Sequence, residues 1–235
     1  MNTDLSSALE QSITEESKNV ASMIVQLGID AIVKDGALQG IPIVATVASI
    51  FKIGHSITEL HYLKKLAQFV FTLNFDVEDE EQRQYYISKL QSNKEQANKE
   101  VEYILVLLDR YIQYSKADML AKLYLAYLRK EISWDAFSVF SEVIDRLLPG
   151  DYEVLKKLCG KQPIQNGING EAFLRLSAIG MVYEYQNNSP FDVVGTGANQ
   201  CLFMGTGTMD RAINNERVYK RTLSGDEFVK IIEKG

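Results

Sequence analysis

The sequence predicts a mainly α protein, with a helical bundle over residues 1–159 and a small α+β module over residues 160–235. Three observations carry this. Apolar residues recur three or four apart through most of 19–158, the spacing of one helix face. Glycine becomes frequent after residue 159, at Gly160, Gly167, Gly170, Gly180, Gly195, Gly197, Gly205 and Gly207. Short β-prone runs such as Met181-Val182-Tyr183-Glu184-Tyr185 then stand between turn-rich stretches.

Residues 1–18 are polar and serine-rich and read as a loose helix or a tail. Val20, Met23, Ile24, Leu27 and Ala31 mark an amphipathic helix over 19–34, and Asp35-Gly36 breaks it. Pro42 suits the first turn of a second helix, where its missing N–H is not needed. Val47, Ile50, Phe51, Ile57, Leu60, Leu63, Leu66 and Val70 then predict one long helical stripe from Ile43 through Thr72. The acidic turn Asp76 to Glu81 leads a helix over 79–90, its carboxylates at the positive end of the dipole. A helix over 95–113 carries Val101, Ile104, Leu105, Leu108 and Ile112. Ser115 caps the next, with Leu120, Leu123, Tyr124 and Tyr127. Ser133 caps another, with Trp134, Phe137, Phe140, Val143 and Ile144. Pro149-Gly150 ends that helix, and a short one runs from Asp151 to Leu158. Cys159 to Pro163 reads as a linker, which places the boundary at about 160.

In the C-terminal module, Glu171 to Ile179 predicts a short helix with Gly180 at its C-cap. Met181–Tyr185, Cys201–Met204 and Val218–Leu223 are strand candidates, separated by loops over 186–199 and 205–216. A final helix carries Phe228, Ile231 and Ile232. Helix, strand, strand, loop, strand, helix resembles a winged-helix domain. The phrases LRLSAIGMV and VYKRTLSGDEFVKII carry the likeness: Leu176 and Gly180 fit its first part, and Thr222, Gly225 and Phe228 its second. Arg221 stands where that pattern has leucine. The full fold class is therefore mainly α, an N-terminal helical bundle followed by a small winged-helix-like α+β module.

Together with GIPIVATVASIFKIGHSITELHYLKKLAQF, this architecture is similar to the bacterial abortive-infection alpha family. The resemblance covers about 40–160 and 171–233. It implies a role in phage defence or stress and brings no catalytic residue with it.

Hydrophobic residues make up 46% and charged residues 24% of the 235, an ordinary globular balance. The net charge of −6 argues against a chain wrapped in nucleic acid. Residues 1–160 hold 17 basic and 23 acidic side chains, whereas 161–235 hold 8 of each. Two cysteines, Cys159 and Cys201, give no disulfide framework, and the reading is a reduced, cytoplasmic protein. The polar, acidic start is wrong for a signal peptide. The apolar run from Ile41 to Ile53 falls short of the roughly 20 residues that span a bilayer.

No residues are expected to form a catalytic site, metal site or cofactor site. His55 and His61 are six apart, on different helix sides, and even with Glu59 four after His55 they read as structural. The two cysteines read as buried thiols. Gly195-Thr196-Gly197 and Gly205-Thr206-Gly207 lack the form of a phosphate loop and read as turns. Residues 76–81 lack the ligand pattern of a calcium loop and read as a solvated helix start. Arg211, Arg217, Lys220 and Arg221 cluster at the proposed wing and are the nucleic-acid candidates, with Asp210 and Glu216 among them. Ile41, Ile43, Val44, Val47, Ile50 and Phe51 are candidates for a membrane or protein interface, read first as bundle core. Exposed members of Tyr103, Tyr111, Tyr114, Tyr124 and Tyr127 would also suit a protein interface.

The leading expectation is a non-enzymatic, defence-associated interaction protein with a protein partner or self-association. A membrane-acting effector that exposes residues 41–54 without spanning the bilayer comes next. A DNA-binding regulator acting through the C-terminal module comes last, penalised by the acidic balance.

Overall fold

A computed structural model describes residues 4–27, 40–52, 56–75, 77, 79–158, 170–185 and 218–234. Among these it holds eleven helices and one two-stranded sheet. The polar N-terminus forms a docked helix, α1 (Leu5–Gln11). Asp4 caps it by accepting from Ser7 N at 3.0 Å, and Leu5, Ala8 and Leu9 are buried. Helix α2 (Glu15–Leu27) follows, with Glu15 and Glu16 at its positive end.

The expected single stripe from Ile43 through Thr72 is two helices, α3 (Pro42–Ile50) and α4 (Ile57–Phe75). The first ends as Lys52 takes a left-handed φ of 48°. The second starts on a capping box: Glu59 N donates to Ser56 Oγ at 3.2 Å, and Ser56 N to Glu59 Oε2 at 3.1 Å. Glu59 thus serves a helix start. Helices α5 (Glu80–Ser92), α6 (Lys94–Arg110), α7 (Tyr114–Leu128), α8 (Trp134–Arg146) and α9 (Pro149–Lys157) lie close to their expected spans. Three details differ. The sixth helix ends at Arg110 rather than 113. Gln113 precedes α7 in the cap position, with Ser115 inside the helix. Pro149 opens α9 instead of ending α8, because its fixed φ suits a first helical turn.

Two compact units divide the chain: residues 1–146 with 230–235, and residues 147–229. Residues 147–158 thus group with the C-terminal module, and the expected boundary at 160 falls outside the described residues.

In the first unit α4 packs against α2 and α7, and α7 against α8. An aromatic cluster fills the centre. Tyr124 of α7 lies 6.2 Å from Phe69 of α4 and 5.9 Å from Phe137 of α8, ring centre to ring centre. Trp134 stacks on Phe137 at 4.7 Å. Buried polar groups brace the ends. Asn74 Nδ2 donates to Ser12 O and Val70 O, both at 2.9 Å, and Ile43 N donates to Ser12 Oγ at 2.9 Å. This joins the ends of α1 and α4 to the start of α3.

The second unit holds α9, α10 (Gly170–Ala178), β1 (Val182–Tyr185), β2 (Val218–Arg221) and the start of α11 (Leu223–Lys234). The strands pair antiparallel, with Val182 opposite Arg221 and Tyr185 opposite Val218. Phe173 stacks on Tyr219 at 4.4 Å. Arg175 holds the buried Asp151 with two bonds, at 2.9 and 2.7 Å, tying α10 to α9. Gly225 is required: a Cβ there would stand 2.2 Å from Met181 O. The strand candidate Cys201–Met204 lies outside the described residues.

Phe137→Ala should lower the unfolding free energy by about 3–5 kcal/mol. Urea denaturation followed by circular dichroism checks this.

Candidate functional site: a groove along the sixth helix

Helix α6 is two-sided by sequence. Asn93 caps it, accepting from Gln96 N at 3.2 Å. Ala97, Val101, Ile104, Leu105 and Leu108 recur three or four apart and are buried. The opposite side carries Glu95, Lys99, Glu102, Val106, Asp109 and Arg110, all exposed. This outer side forms one wall of a groove of about 1170 Å³. Ile50 and Phe51 at the end of α3, Thr58, Glu59 and Tyr62 of α4, and Asp4 and Leu5 at the start of α1 line the rest.

Lys65 and His61 of α4 set where α6 ends. Lys65 is 3% exposed. Its Nζ donates to Asp109 O at 3.2 Å and to Tyr111 O. A cation against the last carbonyls of a helix meets the negative end of its dipole. Burial pulls this ammonium below the usual lysine range. His61 bonds Ile112 O through Nε2 and the Tyr114 hydroxyl through Nδ1, both at 2.7 Å.

The groove is acidic. Asp4, Glu59, Glu95, Glu102 and Asp109 face Lys99 and Arg110, five carboxylates against two cations. Lys99 pairs with Glu95 at 2.8 Å, which lowers the Glu95 carboxyl and raises the lysine. Arg110 pairs outwards, with Asp145 and with Glu142 at 3.4 Å. Among the described residues Glu102 and Asp109 make no close ion pair, although the Glu102 charge acts on Lys99 and the Asp109 charge on Lys65. The Asp4 carboxyl lies well below the usual carboxylate range, because the Ser6 and Ser7 hydroxyls each donate to it at 2.6 Å. Apolar side chains share this lining: Leu105 is 5% exposed, Val106 59% and Phe51 61%. Burial pushes the Tyr62 phenol beside them upwards, with the Asp109 charge adding to the effect.

A smaller recess of about 310 Å³ lies between the ends of α5, α6 and α7. The buried Glu100 carboxylate there accepts from the Tyr127 hydroxyl at 2.7 Å and Gln96 Nε2 at 3.2 Å.

The residues singled out by sequence divide. Ile41, Ile43, Val44 and Val47 are fully buried, and Ile50 and Phe51 reach the groove. Of the basic cluster, Arg211 and Arg217 lie outside the described residues. Lys220 is half-buried on β2, and Arg221 Nε meets Asp226 Oδ1 at 2.8 Å. Of the tyrosines, Tyr111 and Tyr124 are core, and Tyr103, Tyr114 and Tyr127 are half-buried. Asp79 caps α5, accepting from Gln82 N at 2.8 Å. His55, both cysteines and the two Gly-Thr-Gly stretches lie outside the described residues. Among the described residues no three His, Cys, Asp or Glu side chains group to hold a metal, and no helix is long and apolar enough to cross a membrane.

Sequence reasoning missed the outer side of α6. The signal is Glu95, Glu102 and Asp109 at seven-residue spacing with Val106 between them. Compared with family models, curated proteins and solved structures, the chain matches none.

Acid should loosen α1. A carboxyl depressed in the folded state contributes stability above its unfolded value, an ordinary 3.8 for aspartate, and loses it as pH falls through the folded value. Amide exchange in α1 should therefore accelerate, relative to α7, as pH drops below about 4. Asp4→Asn should remove that pH dependence.

Proposed function

We propose that this chain is a non-enzymatic interaction protein that docks a protein partner in the groove along α6. The observation that carries this reading is a groove lined by acidic and apolar side chains together, with Val106 and Phe51 each more than half exposed. Protein interfaces combine such an apolar centre with a polar border. Several polar groups of the groove already have structural partners: Asp4 and Glu59 cap helices, and Lys99 and Arg110 stand in ion pairs. The resemblance to abortive-infection alpha proteins supports a setting in bacterial phage defence, in the cytoplasm.

The C-terminal module is read as winged-helix-like. The order α10, β1, β2, α11 and the bond from the Thr222 hydroxyl to Gly180 O at 2.7 Å support this. DNA binding there ranks low, since Arg221 already meets Asp226. A membrane-acting role ranks below protein docking. Withdrawing Ile41, Ile43, Val44 and Val47 from the core would forfeit roughly 1.5–3 kcal/mol for each side chain.

Val106 and Val139 are almost equally exposed, at 59% and 60%, but only Val106 lines the groove. A photo-crosslinking amino acid at position 106, in cells that express the chain, should yield a discrete adduct with a protein, and position 139 should not. No adduct at 106, or the same adducts at both positions, would contradict the reading.

A further inference from the structure

We infer that the occupant of the α6 groove is a basic amphipathic helix of another protein. This rests on the docking function just proposed and adds the chemistry of the partner. Glu95, Glu102 and Asp109 stand seven apart on one helix, so their carboxylates form a line along one side with roughly 10 Å between successive members. A second helix laid along the groove repeats at the same spacing. Lysine or arginine at i, i+7 and i+14 of that helix meets each carboxylate in turn. From Glu95 to Arg110 the groove runs for roughly 22 Å, the length of about 15 helical residues. Its apolar lining of Leu105, Val106 and Phe51 takes the apolar stripe of the same helix.

Charge decides among occupants. A second copy brings a further net charge of −6 to an acidic rim, and like-signed surfaces oppose approach. A nucleic acid or an anionic lipid surface presents phosphates to the same carboxylates and is opposed in the same way. A basic helix meets Glu102 and Asp109, both exposed and in no close ion pair among the described residues. The carboxylates then steer and select, and the apolar lining holds.

The test uses the full chain and two labelled synthetic helical peptides of about 18 residues with the same leucine stripe, one flanked by lysines and one by glutamates. Fluorescence anisotropy should show saturable binding of the lysine peptide, weakened about tenfold when ionic strength rises from about 0.05 to about 0.3 M. Glu102→Lys combined with Asp109→Asn should weaken it by about tenfold or more, and Phe51→Ala should also weaken it. Glu81→Lys combined with Glu16→Gln makes the same change in net charge at exposed sites outside the groove. That variant should stay within about threefold of the parent. The inference is overturned by absence of saturable binding, by equal binding of the glutamate peptide, or by equal losses in both charge variants. If the lysine peptide fails while position 106 still crosslinks to a protein, the docking function stands and the basic helix falls. If both fail, both fall.

Discussion

The packing of α7 against α4 and α8 is the contact on which the first unit depends. Ala117, Leu120, Ala121, Leu123 and Tyr124 are all fully buried, while Ser115, Asp118 and Lys122 form a narrow stripe that stays in reach of water. Tyr124 sits between Phe69 of α4 and Phe137 of α8, so one ring sets the spacing of three helices. Burial pushes its phenol far above the ordinary range. Close-packed interiors transmit small changes in volume, so the positions of α4 and α8 depend on this ring.

The outer helices inherit their orientation from that centre. Helix α6 buries one side against α1, α4, α5 and α8 and turns its charged side outwards. Lys65 fixes the C-terminal end of α6. A buried ammonium is costly unless its protons are bonded, and here two carbonyls at the end of α6 receive them. That arrangement places Asp109 and Arg110 at the end of the groove. The groove is thus a consequence of core packing, with its walls borrowed from α1 and α3.

Periodicity made α2 and α5 through α8 legible in the sequence. The break between α3 and α4 was not, because Ile57, Leu60 and Leu63 continue the three-and-four spacing across it. Its signature, Ser56 and Glu59 three apart, is local and readable. Helix α1 was obscured by its serines, which read as polar tail residues: the Ser6 and Ser7 hydroxyls turn back onto Asp4, and Ser6 N donates to Asn98 Oδ1 far along the chain. The apolar run from Ile41 to Phe51 stood out, but apolarity alone does not separate the four core members from the two that reach the groove. The outer side of α6 reads in sequence as an ordinary solvated helix face. What makes it a site is the approach of Leu5, Phe51 and Tyr62 from segments distant in the chain. Such non-local walls leave no trace in local spacing.

Hydroxyl-radical footprinting of the free protein reads directly which apolar side chains meet water. Phe51 and Val106 should oxidise readily, whereas Ile43, Val44, Val47 and Tyr124 should stay protected until the whole domain unfolds. Oxidation of Val44 and Val47 as readily as Phe51 under native conditions would contradict the account, since the α3 segment would then not belong to the core that shapes the groove.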